Sequence, residues 1–142
     1  MIYHQIWSGY EKTVIELAAM GTFLHNIYNG IENILKRIVV AKNVEIPTSV
    51  TWHKDLLNLS LSIEIISENT CDDLYKYLTF RHFFIHAYGF MLEEAYMEDL
   101  MNDIPDVWFR FLIEIEDFTK GTHVLYSNSN PYSGEGYVPI QR

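Results

Sequence analysis

The spacing of apolar residues in the first third of the chain is the feature that most constrains the fold. Between residues 15 and 38 these residues recur at steps of mostly three or four, the period at which side chains share one face of an α-helix. They are Ile15, Met20, Phe23, Leu24, Ile27, Ile31, Ile34, Leu35 and Ile38. Gly21 and Gly30 are the two positions in this run at which a helix could bend. The spacing predicts one long helix, or two with a bend, over roughly Tyr10–Val40.

The remainder of the chain keeps the helical period. A loop over Ala41–Ser49, with Pro47 at its centre, separates the first helix from the rest. Three more helical segments are predicted at Trp52–Ser67, Asp72–Phe90 and Glu93–Thr119. No alternation typical of a β-strand persists before Val124. The sequence therefore predicts an all-α fold, an antiparallel bundle of four or five helices.

Residues at the segment boundaries indicate where these helices begin and break. Thr51 is placed to cap the second segment, and Asn69-Thr70 offers a turn and a cap for the third. Pro105 predicts an interruption of the last segment near Asn102–Pro105, because proline is best tolerated in the first turn of a helix. The second segment presents four residues on its inner face: Leu56, Leu59, Ile63 and Ile66.

Length and composition favour one globular domain. The chain has 142 residues, of which 49% are hydrophobic and 15% aromatic, enough to bury a core. Its longest apolar runs, Leu17–Met20 and Ile38–Ala41, are only four residues long, so no transmembrane helix is expected. Met1–Trp7 lacks the pattern of a signal peptide. Cys71 is the single cysteine, so no internal disulfide can form. We expect a cytoplasmic protein that does not interact with membranes.

The composition changes near the C-terminus. Ser127–Gly136 is rich in Ser, Asn, Pro and Gly and has little to bury, which is typical of a loose segment. The predicted domain organisation is therefore a helical bundle over residues 1–120 and a loose tail over residues 121–142.

The chain is acidic, but its charge is unevenly distributed. Nineteen acidic and ten basic residues give a net charge of −9, which argues against a broad nucleic-acid surface. Between Lys36 and His82 six basic and six acidic residues balance, whereas between Glu93 and Asp117 nine acids stand against Arg110. Two interpretations stay open: a solvated acidic helix face, or an acidic end that repels RNA and docks a partner.

The densest polar cluster lies in the third predicted segment, Arg81-His82-Phe-Phe-Ile-His86-Ala-Tyr88. At about 100° per residue, Arg81 and Tyr88 are nearly in line, while His86 lies about 140° from Arg81. One straight helix does not place Arg81 and His86 on a narrow stripe, although both can line a broad cleft faced by a second copy. The alternative is that these polar side chains hydrogen-bond one another at a subunit interface.

A metal site at this cluster is not expected. His82 and His86 share a face at positions i and i+4, but no Glu follows His82 as in an H-E-x-x-H motif, and no third ligand is evident. The sequence also has no Walker A, G-x-S-x-G or Cys–His pattern, so we expect no cofactor.

The spacing of Arg81, four residues, His86, one residue and Tyr88 resembles the R-x4-H-x-Y motif of HEPN ribonucleases, in particular HepT-type toxins of HEPN/MNT toxin–antitoxin systems. Three further stretches resemble HepT-like sequences: His25–Glu32, Trp52–Leu57 and Ala87–Phe90. Together the similar blocks span about residues 20–118, which is most of the predicted bundle.

The resemblance implies a homodimeric, metal-independent endoribonuclease that cuts cellular RNA, with tRNA among the candidates. Two copies of the motif would line one cleft. His86 suits acid–base chemistry because imidazole titrates near neutral pH. Arg81 suits the phosphate, which it can hold with paired hydrogen bonds. In a dimer, the two His86 side chains would serve one proton transfer each.

The resemblance also gives Tyr88 the role of AMPylation acceptor. In HepT-type systems the antitoxin is a minimal nucleotidyltransferase (MNT) that attaches AMP to the motif tyrosine, which would put a negative phosphate into the cleft. The alternative for Tyr88 is a half-buried aromatic with a hydrogen-bonded hydroxyl. The chain has no Gly-Ser…Asp-x-Asp signature, so it is expected to be the target of the modification.

Five further residues are candidates for RNA binding or for supporting Arg81 and His86; surface solvation or pairing across a dimer is the alternative for each. They are His82, His53, Lys54, Asn29 and Glu32. Two other functions stay open for the whole chain. One is a catalytically silent HEPN subunit that binds nucleotide or scaffolds a nucleotidyltransferase, and the other is a plain helical dimerisation module. The intact triplet of Arg81, His86 and Tyr88 favours the ribonuclease.

Overall fold

The computed structural model describes the backbone of residues 12–86 and 94–128, and side chains as far as Gly121. Within these ranges the chain forms four α-helices and no strand, which confirms the predicted all-α bundle. The helices are α1 Val14–Ala41, α2 Trp52–Ser62, α3 Glu68–His86 and α4 Glu94–Asn128.

Helix α1 is a single continuous helix that includes both glycines, Gly21 and Gly30. It begins at a capping box in which the Thr13 hydroxyl accepts from the Glu16 amide at 3.2 Å and the Glu16 carboxylate accepts from the Thr13 amide at 2.8 Å. Its buried apolar stripe is Met20, Leu24, Tyr28, Ile31, Leu35 and Val39. Two residues that the spacing counted with the apolar positions, Ile15 and Phe23, are 82% and 43% exposed. The buried stripe is therefore narrower than the sequence pattern.

Helix α2 ends at Ser62 and not at the predicted Ser67. Glu64 adopts a left-handed backbone with φ of 64°, which a regular helix does not accommodate. The amide of Ile65 then donates to the carbonyl of Ser60 at 2.9 Å, as in a Schellman motif. The turn closes the helix early because it satisfies the last carbonyl groups.

The N-cap of α3 differs from the predicted one, and that of α2 is the predicted residue without the expected hydrogen bond. Ser67 caps α3, since its hydroxyl accepts from the amide of Thr70 at 3.2 Å and the helix begins at Glu68. The expected cap at Asn69-Thr70 therefore lies inside the first turn. Thr51 occupies the N-cap position of α2, as predicted, but its side chain makes no capping hydrogen bond to the backbone.

Helix α4 passes through Pro105 without a break, so the predicted interruption near Asn102–Pro105 is wrong. An interior proline removes a hydrogen bond and crowds the preceding turn, at a cost of about 3 kcal/mol. Burial of large apolar side chains contributes about 1.5–3 kcal/mol each. Five such side chains on this helix are at most 5% exposed: Met97, Leu100, Ile104, Val107 and Phe111. Together they outweigh the cost of the proline.

The backbone of α4 also stays helical past Gly121, as far as Asn128. Residues 129–142 lie outside the described part of the chain. The loose tail and the domain boundary at residue 120 therefore stay predictions. Of the helices in the described ranges, none has the length and apolar character needed to cross a membrane.

Helix α3 contacts all three other helices, and the residue pairs between them show that it runs antiparallel to each. Along α1, Gly21 lies opposite Phe84 of α3 and Asn29 lies opposite Arg81. The two helices approach closely at Gly21, where a Cβ atom would stand 2.6 Å from Cε2 of Phe84. This packing lays the polar end of α3 against the middle of α1.

The other end of α3 is fixed on α4. The Tyr77 hydroxyl donates to the carbonyl of Leu100 at 2.8 Å. Nearer the start of α3, the Arg110 guanidinium donates to the hydroxyl of Thr70 at 2.9 Å. Tyr77 and Thr70 are at most 2% exposed, so buried polar groups set the register of the two helices.

Candidate functional site

Arg81 is half-buried on α3 and is held by α1. Its Nε donates to Oδ1 of Asn29 at 2.8 Å. The amide nitrogen of Asn29 contacts Nε2 of His25 at 3.0 Å. Because an amide nitrogen only donates, His25 accepts through Nε2. A chain of two hydrogen bonds therefore orients Arg81 through one of its three nitrogens. Within residues 12–86 and 94–121, the two terminal nitrogens of Arg81 make no hydrogen bond and no ion pair.

His25 is neutral in this arrangement. Burial lowers the pKa of its imidazole, and the nearby positive charge of Arg81 lowers it further. Its Nδ1 is buried and has no hydrogen-bond partner among the described residues. The ring also packs against Phe84, with 5.8 Å between the centroids. His25 thus supports Arg81 without adding a second positive charge.

A second group of polar side chains, centred on Glu32, lies on α1 next to the group formed by His25, Asn29 and Arg81. Glu32 is only 4% exposed, and its carboxylate accepts from Nδ1 of His53 at 2.6 Å. The ammonium of Lys36 lies 3.7 Å from the same carboxylate, and the Tyr28 phenol lies within electrostatic range of it. Burial and the negative charge of Glu32 raise the pKa of Tyr28, so the phenol stays neutral.

The His53 ring is fixed on its other side by aromatic packing. It stacks on the indole of Trp52 with 3.6 Å between ring centroids and an interplanar angle of 28°. The Lys36 ammonium lies 4.0 Å from the Trp52 ring centroid. The His53 side chain is 25% exposed, so its orientation is fixed while part of the ring faces solvent.

The two polar groups share one stripe of α1. Asn29 and Glu32 are three residues apart, an axial rise of about 4.5 Å. Arg81 from α3 contacts the first, and His53 from α2 contacts the second. Tyr28 lies within electrostatic range of both Glu32 and Arg81. Three helices therefore converge on one polar strip of α1, from Asn29 to Glu32, which is less than one helical turn long.

The other predicted site residues lie at the end of α3 or outside the described residues. His82 and His86 are both exposed, and their ring centroids are 4.5 Å apart. Among the described contacts of a single chain, none joins Arg81 to His86 or His82. Tyr88 lies outside the described residues. Lys54 is exposed, with its ammonium 5.8 Å from the ring centroid of Tyr75.

Sequence reasoning singled out Glu32 and His53 but missed that they pair. The hydrogen bond links residues 21 positions apart, and no spacing within one helix indicates such a contact. The stacking of His53 on Trp52 was also missed, although the two residues are adjacent. A polar stripe at His25, Asn29 and Glu32 was the available signal, because one helix face that is polar in mid-bundle must find partners on neighbouring helices.

The described residues form an all-α bundle in which the central helix ends in the arginine–histidine motif. The family comparison assigns this bundle to the HEPN class. The chain belongs to the HepT-like protein family: the family model matches residues 19–122, which include the whole polar strip and most of α4. No curated protein and no solved structure matches the chain.

Proposed function

We propose that this protein is a metal-independent endoribonuclease, the toxin of a HEPN/MNT toxin–antitoxin system. The observation that carries the proposal is the environment of Arg81. Its guanidinium is oriented by the neutral amide of Asn29, and no carboxylate within the described residues neutralises it. An oriented, uncompensated arginine suits a phosphate, to which it can donate paired hydrogen bonds. Membership of the HepT-like family supports RNA as the carrier of that phosphate.

The chemistry needs no metal because the RNA supplies its own nucleophile. The 2′-hydroxyl attacks the adjacent phosphorus, the bond to the 5′-oxygen breaks, and a 2′,3′-cyclic phosphate and a 5′-hydroxyl result. Arg81 would stabilise the charge that develops on the phosphate. His86 would take part in proton transfer, since imidazole exchanges protons near neutral pH.

The proposed active form is a homodimer in which two motifs line one cleft. What supports it is the separation of Arg81 and His86 on the described chain. His86 lies five residues beyond Arg81, an axial rise of about 7.5 Å, and is exposed. A second copy could bring further motif residues to the same phosphate. The substrate would be a cellular RNA, with tRNA as one candidate.

Cleavage in excess EDTA tests this proposal. We expect the purified chain, but not His86→Ala, to cut RNA and to leave a 2′,3′-cyclic phosphate or its hydrolysis product. Circular dichroism and the elution volume would establish that the variant keeps its fold and assembly. A folded His86→Ala that cuts at the rate of the parent would contradict the role of His86. A parent of unmodified intact mass that leaves RNA uncut would favour a catalytically silent nucleotide-binding or scaffold subunit.

Neutralisation is proposed to occur at Tyr88. A partner MNT nucleotidyltransferase would attach AMP to its phenol, and the added phosphate would repel RNA near Arg81. Support comes from the motif spacing in the sequence and from the family. Tyr88→Phe lacks the acceptor oxygen and should stay toxic and unmodified when it is co-expressed with the nucleotidyltransferase. Mass spectrometry that finds AMP on another residue would contradict the assignment.

A further inference from the structure

His53 and His86 are displaced from Arg81 in opposite directions along the bundle axis. Because α3 runs antiparallel to α1, the chain beyond Arg81 leads toward Gly21, which lies opposite Phe84. His86 is therefore displaced from Arg81 in that direction. His53 is displaced the other way, since it contacts Glu32 while Arg81 contacts Asn29. Along the bundle axis, a phosphate bound at Arg81 would therefore lie between His53 and the end of α3 that carries His86. Since His86 is about 140° around α3 from Arg81, the proposed homodimer is what would bring a His86 side chain to that phosphate.

The hydrogen bond to Glu32 gives His53 the geometry of a proton acceptor. A carboxylate accepts from Nδ1–H, so this bond fixes the tautomer in which neutral Nε2 carries a lone pair. In the part of the chain that the structure describes, Nε2 makes no hydrogen bond. Stacking on Trp52 holds the ring plane. A carboxylate behind an imidazole is the arrangement that orients a general base in many hydrolytic enzymes.

Burial of Glu32 strengthens this interpretation. A carboxylate that is 4% exposed carries a desolvation cost that its hydrogen bonds must offset. An apolar residue at this position of α1 would continue the buried stripe at no such cost. The chain instead holds a carboxylate there, and this carboxylate accepts a hydrogen bond from the partly exposed imidazole of His53.

We propose that His53, oriented by Glu32, is the general base of RNA cleavage and that His86 is the general acid. The proposal rests on the ribonuclease function and deepens it. Nε2 of His53 takes the proton of the 2′-hydroxyl as the 2′-oxygen forms its bond to phosphorus. The bond from phosphorus to the 5′-oxygen breaks, and protonated His86 gives its proton to that oxygen. Water then removes one proton from His53 and returns one to His86.

The variant His53→Asn tests the proposal with little disturbance. The side-chain amide nitrogen of Asn can take the place of Nδ1 and still donate to Glu32, but Asn has no counterpart of the basic Nε2. We expect kcat to fall on the order of 10²–10³-fold with a small change in KM. Circular dichroism should be unchanged. Added imidazole should partly restore cleavage by His53→Ala, which leaves space for it.

A substrate with sulfur in place of the 5′-oxygen separates base from acid. A thiolate leaves without being protonated, so His86→Ala should regain most of its lost rate on this substrate. His53→Asn should stay slow, because removal of the 2′-proton is still required. That contrast between the two variants is the expected result.

Three outcomes would overturn the proposal. If His53→Asn cleaves the ordinary substrate at the rate of the parent while His86→Ala fails, His53 is not the base, and the ribonuclease function stands. If His53→Asn regains its rate on the sulfur substrate, its role is not that of a base. If the parent chain of unmodified mass cleaves neither substrate, the ribonuclease function falls together with the proposal.

Discussion

Two arginines contact α3 near its two ends and are held in different ways. Arg81 belongs to the last turns of α3, and Arg110 lies on α4 beside the first turn of α3. Arg110 donates to the Thr70 hydroxyl at 2.9 Å and forms an ion pair with Asp73. Arg81 donates to the amide oxygen of Asn29 at 2.8 Å and has no ion pair within the described residues. One guanidinium is neutralised by its neighbours. The other is oriented by a neighbour that leaves its charge in place.

The difference indicates which arginine serves structure and which serves a ligand. A carboxylate fixes an arginine but also cancels the field that would attract a phosphate. An amide oxygen fixes one nitrogen through a hydrogen bond and carries no net charge. The pairing of Arg81 with Asn29 therefore gives orientation while it preserves the attraction for an anion. Four predictions test this contrast.

The largest effect is expected for Arg81→Ala. Loss of the guanidinium should lower the rate of RNA cleavage on the order of 10²–10³-fold, as removal of a donor to a developing oxyanion does. Arg110→Ala is the matched control, since it also removes an arginine side chain, the one on α4 that contacts the start of α3. Cleavage assays on both folded variants provide the measurement. Equal losses of activity would remove the distinction between the two arginines.

Asn29→Asp should make Arg81 resemble Arg110. The carboxylate would accept from the same Nε, compensate the charge and repel the phosphate. We expect cleavage to fall about tenfold, equivalent to about 1.4 kcal/mol in the activation barrier, while the melting temperature stays equal or rises. Asn29→Gln, which keeps the amide uncharged, is the control for side-chain identity. Full activity of Asn29→Asp would show that charge compensation at Arg81 does not matter.

Arg110→Ala should instead reduce stability. The variant removes an ion pair that is partly exposed and a hydrogen bond to buried Thr70. The free energy of unfolding should fall by about 1 kcal/mol, part of it lost already in high salt. Urea unfolding at low and high ionic strength measures it. If the free energy of unfolding fell more in Arg81→Ala than in Arg110→Ala, Arg81 and not Arg110 would be the arginine that serves the structure.

The smallest effect concerns pH at the Arg81 end. Burial and Arg81 lower the pKa of His25, so below its ordinary value of about 6.5 the unfolded chain binds more protons than the folded one. The stability that neutral His25 contributes is fully present above that pH. It is lost as the pH falls toward the pKa of His25 in the folded state. Protonated His25 also cannot accept from Asn29.

The variant His25→Gln isolates this contribution. Its amide oxygen can accept from Asn29 in place of Nε2 but does not titrate. Urea midpoints between about pH 7.5 and about pH 5 should therefore fall less in the variant than in the parent. Identical slopes would assign the pH dependence to other groups.

Much of the fold could be predicted from local patterns, and the errors have local causes. The helical period of the apolar residues located all four helices of the described ranges. The early end of α2 depends on the left-handed backbone of Glu64, a non-glycine residue that gives no sequence signal. The continuity of α4 through Pro105 depends on core burial on either side of it. A propensity judged at one position does not include that packing energy.

The candidate site was predictable as a set of residues but not as an arrangement. Arg81, Asn29, Glu32 and His53 were each indicated by the motif or by similarity to HepT-like sequences. Their pairing joins α1 to α3 across 52 residues and α1 to α2 across 21 residues. Contacts at such separations are set by how the helices pack and not by spacing along the chain.

The sequence by itself determined the class of fold, because hydrophobic periodicity is a local property of each helix. It also determined which residue types the site contains. Only the tertiary structure decided that a neutral amide holds Arg81, that a buried carboxylate holds His53, and that the two stand beside each other on α1. The physical reason is that charge compensation depends on distance in space, and antiparallel packing of α3 on α1 fixes those distances.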